Sequence, residues 1–204
     1  MAGLSQHLFA LGRPTLERQL AHPTVRGIAN GDLEPARFRS WLVQDYLFLL
    51  DYVRLFALAA ARAPDGETLG RLVDLAHSTF HDELSLHRAY AARFGLAEPE
   101  LEATAKSPVC AAYTDFLLRT AATGDFAEVV AALLPCMWGY SEIGRALQAA
   151  ERAGLVVHAA RARLVLASVL LPLGNPTASA APAICRRPSA VFSAPRSSSR
   201  PRKK

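Results

Sequence analysis

Cys136 and Tyr140 stand four residues apart, so in a helix their side chains project from the same face. A thiol can act as a nucleophile, and a phenol can donate a hydrogen bond to a bound molecule. Pro135 lacks an N–H and should kink the helix just before the thiol. The pattern predicts either a pocket wall that carries a nucleophile or a core in which both side chains only fill space.

Asp45 is a carboxylate within an aromatic stripe, because Trp41, Phe48 and Tyr52 share its face of an otherwise apolar helix. An ionised Asp buried there needs hydrogen bonds or an opposite charge, or else its pKa rises. In a ligand site, the carboxylate could accept from the exocyclic amine of a nitrogen ring while an aromatic neighbour stacks on that ring. A structural bridge from Asp45 to another helix is an equally open alternative.

Residues 77–87 contain three histidines and two acids, which raises the hypothesis of a metal site. Helical di-metal sites take Glu-x-x-His motifs from two helices, and this sequence does not supply two of them. Glu83 and His87 are four residues apart and are better placed to hydrogen-bond one another or to hold a neighbouring helix. We therefore predict no metal and no cofactor.

The elements that carry these residues are helical, because apolar residues recur with a helical period up to about residue 153 and no strand alternation occurs. The fold class is predicted to be all-α, with short connections that favour an antiparallel helical bundle. The segment from Pro35 to Arg62 is apolar on nearly every side and should be its central helix. The predicted helices span residues 4–20, 22–29, 35–62, 66–94, from 108 onward, and 125–154.

Charge divides the chain into a predicted helical domain, residues 1–155, and a tail, residues 156–204. The first part carries 14 Lys and Arg against 18 Asp and Glu, and the second carries 9 Lys and Arg and no acid. The tail is also rich in Pro and Ser, a composition that predicts disorder. A genuine basic tail and an altered reading frame or exon boundary are both open explanations of this composition.

The folded part is mildly acidic, which argues against nucleic acid as a partner. The longest apolar run, residues 164–173, is too short to span a bilayer, so no membrane partner is predicted. The N-terminus has no basic stretch before its apolar run, and the expected location is the cytoplasm. The three cysteines are widely spaced and are predicted to be reduced thiols.

Several ordered motifs resemble those of the TenA family, the thiaminase II or aminopyrimidine aminohydrolase group. The most specific is the run from Pro135 to Gly144, with the pattern Pro-Cys-x-Trp-x-Tyr of the cysteine-containing branch. His22-Pro23, Gln44-Asp45-Tyr46 and Ser107-Pro108 precede it in family order, and the resemblance covers residues 4–152. It implies a haem-oxygenase-like bundle that binds no haem and assembles as a homotetramer.

The resemblance also implies roles for individual residues. Cys136 corresponds to the nucleophile that attacks the pyrimidine ring, and Asp45 to the group that holds the aminopyrimidine. Tyr113 and Tyr140 correspond to residues that position the substrate, and Phe48 lines the pocket where some members have a Tyr that supports the thiol. The implied partner is an aminopyrimidine or thiamine, hydrolysed to hydroxymethylpyrimidine in thiamine salvage.

The sequence departs from the family pattern after Glu151, where it has no further Glu and no Tyr or Trp. Family members carry a general acid there as a Glu on a C-terminal helix. Loss of a general acid lowers a rate by roughly 10²- to 10⁴-fold, so we expect impaired catalysis. Two alternatives stay open: a pyrimidine-binding or regulatory protein that is not an enzyme, and an oxidase of the haem-oxygenase-like class.

Overall fold

The structure is a computed structural model that describes residues 4–152, apart from the side chains of residues 5 and 148–152. The predicted boundary at residues 155 and 156 and the predicted disordered tail, residues 156–204, lie outside the described residues. Within residues 4–152 all regular structure is helical, so the all-α prediction is confirmed. The elements in chain order are α1 Leu4–Leu20, α2 Pro23–Asn30, α3 Pro35–Ala60, α4 Gly66–Ser78, a π-helical turn Thr79–Glu83, α5 Leu84–Arg93, α6 Glu98–Ala103, α7 Pro108–Thr123 and α8 Phe126–Arg152.

Local sequence signals set most helix ends. The imidazole of His22 accepts from the amide of Thr24 at the start of α2, and Ser107 accepts from the amide of Cys110 at the start of α7. Asp125 and Glu128 exchange reciprocal hydrogen bonds as a capping box before α8. Gly31, at a φ of 76°, ends α2 in the left-handed conformation that glycine adopts readily.

The helix predicted over residues 66–94 is present without a break from Gly66 to Arg93, but its middle is not α-helical. The π-helical turn Thr79–Glu83 divides it into α4 and α5, and the amide of Leu84 bonds to the carbonyl of Thr79 five residues back. A single inserted residue barely disturbs the apolar period, so the sequence pattern does not reveal it. The short helix α6, Glu98–Ala103, was also not predicted, and α8 continues as a helix on both sides of Pro135.

Helix α3 is the central helix, as predicted. It packs against α4, the π-helical turn, α5, α6 and α7, and contributes Leu42, Tyr46, Leu55 and Phe56 to the core at 1% exposure or less. Helix α8 packs mainly on α7, α1 and α2. The side chains of Asp45 on α3 and Tyr140 on α8 form a hydrogen bond that connects these two helices. No helix in the described part of the chain combines the length and apolarity needed to cross a bilayer.

Candidate active site

A cleft lies between α3, α8 and the segment from α4 through the π-helical turn. It contains about 470 Å³ of space between atoms, a volume that includes the open solvent at its mouth. Phe48 and Met137 contribute apolar walls. The cleft is also lined by six residues with polar groups: Asp45, Tyr52, Thr79, Glu83, Cys136 and Tyr140.

The carboxylate of Asp45 is hydrogen-bonded through both oxygens to two different helices. Oδ2 lies 2.8 Å from Nε2 of His87 on α5, and Oδ1 accepts from the hydroxyl of Tyr140 on α8 at 3.1 Å. Asp45 is only 9% exposed, so these bonds replace the water that an ionised carboxylate needs. A carboxylate has about four acceptor positions, which leaves room for donors from a molecule in the cleft.

His87 holds Asp45 in place and is fully buried. Its Nδ1 lies 2.9 Å from the carbonyl oxygen of Glu83, and its Nε2 faces the Asp45 carboxylate. Both neighbours are acceptors, so we assign a proton to each ring nitrogen. Burial alone lowers the pKa of His87, but the hydrogen bond and the charge of Asp45 raise it above its usual value. The hydrogen bond between His87 and Asp45 therefore joins α5 to α3 at the cleft.

Cys136 presents its thiol to the same cleft without a cationic neighbour that favours the thiolate. Burial first, and then the charge of Asp45, raises the pKa of the thiol to about 12. Interactions with the hydroxyls of Tyr113 and Tyr52 lower the pKa, and the charge of Glu83 raises it further. At neutral pH the sulfur is therefore a thiol, so a reaction at Sγ has to move its proton as the sulfur attacks.

Aromatic rings back the thiol from the side of α3 and α7. Phe48 is stacked on Tyr113 with centroids 5.8 Å apart and planes 2° apart, and it also packs on Tyr52 at 5.0 Å. The hydroxyl of Tyr52 is buried without a hydrogen-bond partner among the described residues. Burial first, and then the neighbouring Cys136, raises the pKa of Tyr52, so this hydroxyl lies near the thiol.

The histidines of residues 77–87 separate into two groups. His87 points to Asp45, while the rings of His77 and His81 lie against each other with centroids 4.3 Å apart. Among the described residues, no three side chains of His, Cys, Asp or Glu lie close enough together to hold a metal ion. The suggested contact between Glu83 and His87 is present, through the backbone carbonyl of Glu83, and His87 also holds a neighbouring helix.

The structure brings four of the five residues singled out from the sequence to one cleft: Asp45, Phe48, Cys136 and Tyr140. Tyr113 is not among the residues that line the cleft, but its ring stacks on Phe48 and its hydroxyl interacts with the Cys136 thiol. The sequence assigned no site role to His87 or Tyr52. Tyr52 is seven residues after Asp45 and so shares its face, a signal that was available, whereas the bond from His87 to α3 depends on tertiary packing.

These features define a helical fold over the described residues, with a half-buried cysteine and a buried carboxylate that line one cleft. The chain belongs to the TENA/THI-4/PQQC family, whose model matches residues 12–157. Solved structures of this family share the all-α, haem-oxygenase-like fold, which confirms the predicted architecture. One is a TenA family transcription regulator from Silicibacter sp. TM1040, which is 26% identical with a TM-score of 0.69 over 91% of this chain and 88% of its own.

Curated relatives are similar over the same region. The aminopyrimidine aminohydrolase of Halalkalibacterium halodurans is 42% identical over 137 residues, which are 67% of this chain and 61% of that protein. The aminopyrimidine aminohydrolase of Bacillus subtilis is 38% identical over 131 residues, 64% of this chain and 56% of that protein. The chain thus spans about three fifths of the length of these two relatives.

Proposed function

We propose that this protein is a thiaminase II-like hydrolase that releases hydroxymethylpyrimidine from aminomethylpyrimidine breakdown products of thiamine, or from thiamine itself. One observation carries the proposal: the Cys136 thiol and the Asp45 carboxylate, which belong to different helices, line the same cleft. Relatives named aminopyrimidine aminohydrolase supply the substrate class. A role in thiamine salvage follows from this product.

In the proposed reaction, Asp45 orients the aminopyrimidine by accepting from its exocyclic amine. His87 and Tyr140 hydrogen-bond the two oxygens of Asp45 and fix the direction of the carboxyl group. The pyrimidine ring lies against Phe48, and the stacked ring of Tyr113 holds Phe48 in position. Asp45, Phe48, Tyr113 and Tyr140 are therefore proposed to bind and position the substrate.

Cys136 is the proposed nucleophile. As Sγ bonds to an electron-poor ring carbon, the electrons of the adjacent C=N bond move to nitrogen, which takes the thiol proton. This route suits a thiol with a pKa of about 12, because it needs no free thiolate. Addition loosens the bond from the exocyclic carbon to its leaving group. The leaving group departs with the electron pair of that bond, and water bonds to the exocyclic carbon and gives up one proton, which balances the charge of the departed group. The sulfur then leaves as the ring C=N bond re-forms, and the ring nitrogen returns its proton to the sulfur.

The test is release of hydroxymethylpyrimidine from aminomethylpyrimidine, followed by chromatography. We expect the wild-type chain to form product and Cys136→Ala to form none above background. Cys110→Ala is the matched control, since the Cys110 thiol contacts the carbonyl of Gln44 at 3.6 Å and does not line the cleft. Equal rates for Cys136→Ala and wild type would eliminate the proposed nucleophile.

A pyrimidine-binding or regulatory protein is the second candidate. The high pKa of Cys136 favours it, because an unactivated thiol is compatible with binding alone. The structural relative named a transcription regulator has the same fold. Titration calorimetry with hydroxymethylpyrimidine, together with the turnover assay, separates the candidates: tight binding without turnover supports the regulator.

Three further properties follow the family resemblance. We expect a homotetramer, which light scattering of the purified chain tests, and a cytoplasmic location, which fractionation tests. Residues 152–204 contain no Asp or Glu, so an acid equivalent to the family's C-terminal Glu is absent from them. We therefore expect slower turnover than in the aminopyrimidine aminohydrolases, measured side by side.

A further inference from the structure

Glu83 is a buried acid that faces the cleft and has no role in the reaction described so far. The residue is 5% exposed and lines the cleft together with Cys136 and Asp45. A carboxyl group is rarely buried to this extent unless it is paired with a cation or coordinates a metal. No lysine or arginine is among the residues that line this cleft.

The π-helical turn fixes where this acid points. Glu83 is the last residue of the turn, and its carbonyl oxygen is held at 2.9 Å by Nδ1 of His87. Wide turns of this kind often occur at functional sites. The adjacent residue Asp82 carries the same functional group but is exposed. The turn therefore directs one acid into the cleft and the other to the surface.

The groups that face Glu83 favour its neutral form. They come from three helices: Asp45 and Tyr52 on α3, His87 on α5 and Cys136 on α8. Burial first, and then the charge of Asp45, raises the pKa of Glu83 to about 8, and the charge of His87 opposes this increase. At neutral pH, Glu83 therefore carries a proton that it can donate.

We infer that Glu83 is the acid that protonates the leaving nitrogen when the substrate is an aminomethylpyrimidine. The inference rests on the proposed function and adds a residue to it. The C–N bond breaks with its electron pair moving to nitrogen, which takes the carboxyl proton and leaves as ammonia. The incoming water gives a proton to the Glu83 carboxylate as its oxygen bonds to the same carbon, which restores the acid.

The two substrates of the proposed function make different demands on this acid. An amine bound in its neutral form leaves as ammonia only if its nitrogen receives a proton, and the acid form of Glu83 supplies that proton. The thiazolium of thiamine already carries a positive charge, so it leaves as a neutral thiazole without one. Loss of the acid should slow the first reaction much more than the second.

The experiment compares Glu83→Gln, Asp82→Asn and wild type on both substrates. Glu83→Gln keeps the shape of the side chain and removes its acidic proton. We expect it to lower kcat/KM for aminomethylpyrimidine by about 10²- to 10⁴-fold and for thiamine by less than about tenfold. Asp82→Asn, the matched control, should change neither value by more than about twofold. Equal losses on both substrates in Glu83→Gln overturn the inference.

The pH dependence of kcat gives a second readout that uses the wild type. With the amine substrate, kcat should fall as pH rises through about 8, and Glu83→Gln should lack this decrease. If Glu83→Gln does not fold, the wild-type profiles decide: the decrease must occur with the amine and be absent with thiamine. If the wild type hydrolyses the amine alone, the variant's profile decides, and a retained decrease overturns the inference. A wild type inactive on both substrates overturns the proposed function itself.

Discussion

Helix α3 buries two aspartates six residues apart, and their surroundings are opposite in kind. Asp45 is held by His87 and Tyr140 beside an open cleft. Asp51 is 7% exposed and is bonded by Lys106 and by Arg54, the latter at 2.6 Å. We call Asp45 with His87 and Tyr140 the Asp45 region, and we call Asp51 with Lys106 and Arg54 the Asp51 region.

Asp45 can still accept a hydrogen bond from a molecule in the cleft, whereas the charge of Asp51 is balanced by two cations. Burial raises the pKa of Asp51, but the hydrogen bond and charge of Lys106, helped by Arg54, lower it below 3.8 overall. Two cations leave Asp51 with no need of a ligand. Asp45 is bonded by one imidazole and one phenol, with no lysine or arginine, and it lines the cleft. Burial of an acid alone therefore does not indicate a site, and the chemistry of its partners does.

A cysteine lies near each region: Cys136 lines the cleft with Asp45, and Cys110 is close enough to Lys106 and Asp51 to feel their charges. Replacing these two cysteines should give the largest difference in activity. Cys136→Ala removes the proposed nucleophile and should lower kcat by more than about 10⁴-fold. Binding of hydroxymethylpyrimidine, measured by calorimetry, should persist because Asp45 remains. Cys110→Ala should keep wild-type kcat. If both variants lose activity in parallel, the proposal that only the Asp45 region takes part in the reaction is wrong.

The aspartates give the next largest effect. Asp45→Asn should lower kcat/KM by about 10²- to 10³-fold, because the ring loses its charged acceptor and His87 loses its counter-charge. Asp51→Asn should keep kcat/KM within about threefold and reduce the free energy of unfolding by about 1–3 kcal/mol. Steady-state kinetics and urea denaturation check both. An Asp51→Asn protein that is stable but inactive would contradict the view that Asp51 serves stability and not the reaction.

Stability should depend on pH in opposite directions in the two regions. The pKa of Glu83 rises from 4.5 to about 8 on folding, so between these values the folded chain holds a proton that the unfolded chain has released. Stability therefore falls as pH rises through this window, by at most about 4–5 kcal/mol. The raised pKa of His87 acts in the same direction above 6.5.

For Asp51 the sign is reversed, since its folded pKa lies below 3.8. Its contribution is present above pH 3.8 and is lost as pH falls through the folded value. Denaturation midpoints measured from pH 2.5 to 9 check both effects. Glu83→Gln should flatten the decrease between pH 4.5 and 8, and Asp51→Asn should flatten the acidic limb. An unchanged profile in Glu83→Gln contradicts the first assignment.

The smallest expected effect concerns Tyr52. Its hydroxyl is buried without a partner among the described residues and lies near the thiol, so Tyr52→Phe should lower kcat by about tenfold. The same change removes an unsatisfied polar group and should raise the melting temperature by a few degrees. Slower turnover with higher stability distinguishes a role at the thiol from a packing role. Wild-type turnover together with a lower melting temperature in Tyr52→Phe would indicate that the hydroxyl contributes to packing alone.

Much of this architecture follows from local sequence, because local interactions determine it. Pro35, Ser107 and the Asp125–Glu128 capping box set helix starts whatever the rest of the chain does. The shared faces of Cys136 with Tyr140 and of Asp45 with Phe48 follow from helix geometry. Their meeting in one cleft was a prediction that depended on packing, and the structure places all four on the same cleft.

The remaining features depend on distant contacts. Nothing in the spacing of Glu83 and His87 reveals that His87 reaches Asp45, 42 positions earlier. The π-helical turn changes the facing of Glu83 by one inserted residue, which leaves the apolar pattern almost intact. The partners of Asp51 are similarly invisible, because Lys106 lies 55 positions away. A buried acid can be read from sequence, but its neutralising partner often cannot.

The positions of the two tryptophans have a practical consequence. The ring of Trp41 lies 6.2 Å from the imidazole ring of His87, while Trp138 packs on Phe9 of α1 at 4.7 Å. Protonated imidazole quenches indole emission, so Trp41 reports on the charge state next to Asp45, and Trp138 reports on the docking of α1. The chain thus contains two intrinsic fluorophores with different sensitivities, and removing one by mutation isolates the signal of the other.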